Sequence, residues 1–299
     1  MPAPGKFVAA AAIAAAVTAG SRAWLRDQPP GGADRWTRTN HRGEPISLLE
    51  GPAVAAGLAA GAAVTGGRGG VAAVIATTGA GTFGIIDDLE EDTSGQRSKG
   101  LRGHLGALRQ GQLTTGALKI LGIGGAAFVA AVVGTRRQAD APTGRYIGDI
   151  VINSALIAGT ANLVNLLDLR PGRALKAAGI LALLPAQGGC AARGAVVGAG
   201  AAAWPGDLAE RDMLGDGGAN ALGALLGTRL ALGLPRPLRV VALAGVVGLT
   251  LASEKVSFSR VIDETPWLKA VDDIGRRPTE NSERKPAESV ERGPVEGQQ

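Results

Sequence analysis

Apolar residues run in nine blocks along this chain, at roughly 7–25, 48–65, 67–86, 115–134, 146–167, 174–187, 194–206, 219–234 and 237–253, and most of the charge falls between them. Several blocks reach the roughly 20 residues that a helix needs to cross a hydrocarbon core of about 30 Å, and the shorter ones are marginal. The pattern predicts an all-α, polytopic helical membrane protein of about nine transmembrane helices. A soluble α/β fold could use the 47 glycines in turns, but blocks this long and uninterrupted argue against it. In lipid, Gly and Ala instead let helix backbones approach closely. The first block reaches Leu25, longer than the apolar core of a secretory signal, so it is read as an uncleaved span.

Composition sharpens this reading. The 299 residues are 45% apolar yet 19% charged, and the mean hydropathy is +0.16, so charge and apolar surface must be segregated. A single cysteine, Cys190, excludes an intramolecular disulfide framework and a thiolate metal cluster. Only nine aromatic residues (four Trp, four Phe, one Tyr) are available for interfacial belts, too few to fix the span ends. The net charge of +5 comes without a basic, aromatic-interleaved stripe, which argues for membrane orientation and anionic lipid rather than nucleic acid.

Basic residues give the sidedness. Placing the loop after Ile86 in the cytoplasm makes 26–46, 87–114, 168–173, 207–218 and the region from 254 cytoplasmic, and these segments hold most of the Lys and Arg. The N-terminus is then outside and the C-terminus inside. Residues 1–260 are read as the membrane domain and 261–299 as a cytoplasmic tail, whose final Glu-, Pro-, Arg- and Ser-rich stretch is expected to be disordered.

The same alternation brings the unusual polar clusters to one face. Asp87, Asp88, Glu90, Glu91 and Asp92 directly follow a block, 67–86, whose only ionisable residue is Arg68. Asn162, Asn165 and Asp168 recur every third position at the cytoplasmic end of the fifth block, and Asp216 opens the eighth. Amides and carboxylates at such positions are expensive and usually face a polar cavity. Converging, they form an all-oxygen set of the kind that suits Mg²⁺ held beside phosphate. An acidic run after a span is more often a solvated helix end, and Glu90 and Asp92 are read that way. Asp149 and Asn153, inside the fifth block, are the other intramembrane polar pair, the basis of a transporter reading.

The order "GIIDDLEED", "GTANLVNLLD" and "LGDGGANALGALLG" resembles the polyprenyl-phosphate N-acetylhexosamine-1-phosphate transferases, the family of the phospho-MurNAc-pentapeptide translocase. The likeness runs from about residue 36 to 253 and includes "HRGEPISLLEGPAVAAG" at the second block and the basic segment 97–120. It implies Mg²⁺-dependent transfer of a sugar-1-phosphate from a UDP-sugar to polyprenyl phosphate at the bacterial plasma membrane, in cell-envelope polysaccharide synthesis. It assigns Asp87, Asp88 and Asp216 to catalysis, with Asp88 and Asp216 as metal ligands. It assigns Asn162, Asn165, Asp168, Lys99 and Lys119 to substrate binding. The implied partners are polyprenyl phosphate, a nucleotide-sugar and membrane lipid, and the family pattern is compatible with a homodimer. The chain departs from the family where "DLRPGR" replaces the close of the second motif, and its two histidines, His41 and His104, leave the last third without a His-rich loop. A non-catalytic relative that binds the lipid carrier as a scaffold is the alternative reading.

Overall fold

A computed structural model describes residues 3–40, 42–90 and 115–277. Among them, nine helices coincide with the nine apolar blocks: α1 Ala3–Asp27, α2 Glu50–Ala63, α3 Gly67–Glu90, α4 Thr115–Gly134, α5 Thr143–Leu167, α6 Arg173–Leu183, α7 Cys190–Leu208, α8 Gly215–Gly233 and α9 Arg236–Ser253. Two short helices follow, α10 Phe258–Glu264 and α11 Pro266–Asp273. Five helices, α1, α3, α4, α5 and α9, are long and apolar enough to cross a membrane. The 14 residues of α2 and 11 residues of α6 span only about 21 Å and about 16 Å at 1.5 Å per residue. The block ending at 187 gives a helix ending at Leu183 because Leu184 takes the extended ψ of 137° that precedes a proline, here Pro185.

The bundle is assembled by small residues. Helix α8 is the axis, buried along nearly its whole length between α2, α3 and α5. Its "GDGGANALGALLG" half leaves room for close approach: a Cβ at Gly223 would collide with the α5 backbone at Thr160 and Ala161. In α7, Gly198 lies so close to α1 that a Cβ would overlap the Ala11 carbonyl. Dispersion between tightly apposed backbones is what holds helices together where lipid removes the hydrophobic drive.

Two features are absent from the sequence reading. Residues 37–39 and 45–47 form an antiparallel ribbon (β1 Thr37–Thr39, β2 Pro45–Ser47) with Arg38 opposite Ile46. Its turn is closed by Asn40, whose Oδ1 accepts the backbone N–H of Arg42 and of Glu44, both at 2.9 Å. Beneath it, Leu25, Trp36, Leu48, Leu49 and Ala53 make a small satellite core. The folded unit also extends past residue 260. Arg173 at the start of α6 grips Asp272 of α11 in a two-pronged pair, Nε to Oδ1 and Nη2 to Oδ2, both at 2.8 Å. The start of the segment read as a tail is thus helical and docked on the bundle, and residues 278–299, where the disordered end is expected, lie outside the described residues.

Candidate polar site at one end of the bundle

The helices alternate in direction, so one end of the bundle collects the C-termini of α1, α3, α5 and α7 and the N-termini of α2, α4, α6 and α8. The aspartates converge there. Asp88, in the last turn of α3, accepts the backbone N–H of Asp216 on Oδ1 at 3.0 Å and of Gly217 on Oδ2 at 2.9 Å. A carboxylate placed this way satisfies two otherwise orphaned amides of α8 and complements the positive end of its dipole. Two glycines make the approach possible. A Cβ at Gly84 would overlap the Asp216 carbonyl, and Gly215, at φ +57°, turns the chain into α8 directly against the Asp88 carboxylate. Asp87, the residue before Asp88 in α3, meets Lys119.

Lys119, near the start of α4, is the hub. Its Nζ lies 2.5 Å from Asp87 Oδ2 and also bonds Asp216 Oδ2. An ammonium thus occupies the slot between two carboxylates from α3 and α8. Asp168, just past the end of α5, comes to the same end near the Gly215 backbone N–H, and one carboxylate oxygen, Oδ2, is buried without a partner. Burial pushes the Asp168 carboxyl well above the ordinary carboxylate value, and the charges of Asp207, Asp216 and Asp88 push it further.

Of the residues singled out in the sequence, Asp87, Asp88, Lys119, Asp168 and Asp216 are thus brought together. Asn165 is half-buried and Asn162 exposed on α5, one and two turns from Asp168. Lys99, Glu91, Asp92 and the other basic residues of the 97–109 segment lie outside the described residues. Asp149 and Asn153 sit at the opposite end and are tied into packing: Asp149 pairs with Arg236 at 3.1 Å and Arg239 at 3.3 Å, while Asn153 bonds Thr135 and Arg239.

Sequence reasoning missed a second buried set beside the first. Glu50, the first residue of α2, is completely buried with neither carboxylate oxygen hydrogen-bonded, and Asp207, Asp212, Asp168 and Arg22 are its electrostatic neighbours. Arg22 of α1 is paired with Asp212. Glu210, at φ +56°, is buried against Arg42 at 3.0 Å and Asn40 at 3.1 Å of the ribbon turn. The ribbon is locked on from its other side, where Ser47 exchanges backbone bonds with Arg211 and Met213, and Arg38 donates to the Asp88 carbonyl. One signal for Glu50 was present: it is the only charged residue in the block 48–65.

The donor set is all oxygen, and the Lys119 ammonium stands where a cation would bridge Asp87 and Asp216. Oxygen donors of this kind suit a hydrated divalent ion, for which Asp87 and Asp216 would be the carboxylates once the ammonium moved aside. Among the described residues, no three acidic, histidine or cysteine side chains are close enough to ligate one ion by themselves. Both Asp88 oxygens already accept helix amides, so Asp88 acts on the slot by fixing α8 and hence Asp216. No family model matches this chain, and no curated protein is significantly similar to it.

Proposed function

We propose that the chain is a membrane phosphotransferase that moves a sugar-1-phosphate from a UDP-sugar to polyprenyl phosphate at the cytoplasmic face of the bacterial plasma membrane, with Mg²⁺ as cofactor. The observation that carries this reading is the slot itself: Asp87 and Asp216, from helices far apart in sequence, both turned onto one cation. The alternating direction of α1 to α9, five of them of membrane length, is compatible with the nine-block arrangement that puts the N-terminus outside and the C-terminus in the cytoplasm. The motif order that resembles the hexosamine-1-phosphate transferases lends the reaction type.

In such a reaction an oxygen of the lipid phosphate attacks the phosphorus attached to the sugar. A new P–O–P bond forms, the bond to UMP breaks, and UMP leaves with the electron pair. Mg²⁺ would supply charge neutralisation between two polyanions and on the leaving phosphate. Asp87 is the residue placed to orient the lipid phosphate and take its proton. Lys119 holds the carboxylates apart in the resting state and is a ready phosphate contact once it swings from them. Asp168, with one oxygen buried and unpartnered, backs the slot from the end of α5, and Asn165 and Asn162 beside it offer amides to the donor.

Purified protein given polyprenyl phosphate and a panel of UDP-sugars should release UMP only with Mg²⁺. Asp216→Asn should remove about a thousandfold of the rate or more while leaving expression intact. A second reading has its own support: Lys119 already pairs with both carboxylates of the slot without a metal, as a lipid-carrier-binding scaffold would require. That reading predicts binding of polyprenyl phosphate with no UMP from any donor.

A further inference from the structure

The end of the bundle away from the aspartates holds a second, unrelated arrangement. Arg229, buried near the end of α8, donates Nη1 to the Leu181 carbonyl at 3.3 Å and Nη2 to that of Leu184. Arg193 of α7 donates Nη2 to the same Leu184 carbonyl at 2.9 Å. Both Nε groups are buried without a hydrogen-bond partner. Among the described residues, the charged or titratable neighbours of Arg229 are Arg193 and the Cys190 thiol, with no carboxylate. The C-terminal dipole of α6 offsets only about half a unit of charge, so two guanidiniums meet with well over one positive charge left uncompensated.

A groove of about 400 Å³ opens at this point between α1, α6 and α7, a size typical of small-molecule clefts. Its walls are apolar, with Pro4 and Phe7 from α1, Leu183 from α6 and Val197 from α7, and among the described residues Arg193 is the one charged residue lining it. Leu183 and Val197 are largely exposed. On the flank of a bundle with five membrane-length apolar helices, an apolar furrow ending at an uncompensated guanidinium is complementary to one molecule type: an aliphatic chain joined to an anionic head. A guanidinium takes a phosphate through paired N–H donors.

We propose that this groove is a binding site for an anionic glycerophospholipid, with one acyl chain along the apolar walls and the phosphodiester on Arg193, Arg229 adding its charge from behind. The site is independent of the aspartate slot and of any reaction there. The test is thermal unfolding and native mass spectrometry of the delipidated full chain in detergent, with phosphatidylglycerol or phosphatidylcholine of matched acyl chains added. Phosphatidylglycerol should bind about tenfold tighter and raise the unfolding temperature more, and Arg193→Gln should erase that difference. Gly179→Leu provides a second variant: Gly179 lines the groove, a Cβ there meets nothing within 4 Å, and leucine favours the helix. It should fold as well as the parent and lose both lipids. Equal binding of the two lipids by the parent chain, a phosphatidylglycerol preference that survives Arg193→Gln, unchanged lipid binding by Gly179→Leu, or inorganic phosphate alone reproducing the stabilisation would each overturn the proposal.

Discussion

Lys119 separates two carboxylates that would otherwise face each other across the slot, and its side chain is about one-fifth exposed. Lys119→Gln should therefore destabilise the protein by about 1–3 kcal/mol, below the cost for a fully buried pair because solvent screens the charges. Millimolar Mg²⁺ should restore most of the loss in thermal unfolding; a variant indifferent to Mg²⁺ would show that no divalent ion takes the ammonium's place. Asp168 makes the opposite kind of prediction. Its folded-state pKa is raised by burial, so the folded chain holds the proton more tightly than the unfolded one. Stability contributed by Asp168 is full below the ordinary carboxylate value and declines as pH rises from there toward the raised value. Asp168→Asn cannot ionise, so its unfolding temperature should exceed that of the parent at about pH 7–8 and converge with it near about pH 4. Identical pH profiles would place Asp168 in contact with solvent instead. Asp87, Asp88, Asp168 and Asp216 were legible because carboxylates at the ends of apolar blocks stand out. Glu50 was hidden by the same logic, since one acid inside an apolar block reads as tolerance rather than as a buried orphan.

At the scale of elements, the nine apolar blocks map onto nine helices because each block is long, rich in Ala, Leu and Val, and bounded by Gly, Pro or charge. The ribbon could not be read in the same way. Three-residue strands such as Thr37–Thr39 carry no period, and their pairing depends on the Asn40 turn and on docking to the loop before α8. Helix α11 was equally obscure, because what holds it is long-range: Arg173 with the Asp272 carboxylate and Lys176 with the Asp272 carbonyl. The junction of α3 with α8 yields a sharp contrast between two substitutions. Gly84→Ala would drive a methyl into the Asp216 carbonyl, whereas Gly125→Ala on α4 meets open space. The first should cost about 1–3 kcal/mol through overpacking and loosen the Asp88 cap, while the second should be neutral or slightly stabilising. Chemical denaturation of the two variants in parallel tests this, and equal stabilities would mean that α3 and α8 are not in register as described.

Taken whole, the molecule segregates its chemistry by end. Carboxylates, amides and the ribbon gather where α3 meets α8, and arginines that cap helices or pair with Asp149 gather at the other. A bundle packed by Gly and Ala gains little from gathering Asp87, Asp168, Asp207 and Asp216 at one end, since their mutual repulsion opposes folding unless more than the single Lys119 ammonium relieves it. The central claim is that a divalent cation does so in the slot between Asp87 and Asp216. Mn²⁺ in place of Mg²⁺ makes it directly measurable: paramagnetic resonance of the full chain with polyprenyl phosphate and a UDP-sugar reports free and bound ion. A saturable site in the parent chain, lost in both Asp87→Asn and Asp216→Asn, is the predicted result. Absence of saturable uptake, or uptake that both variants retain, would contradict it.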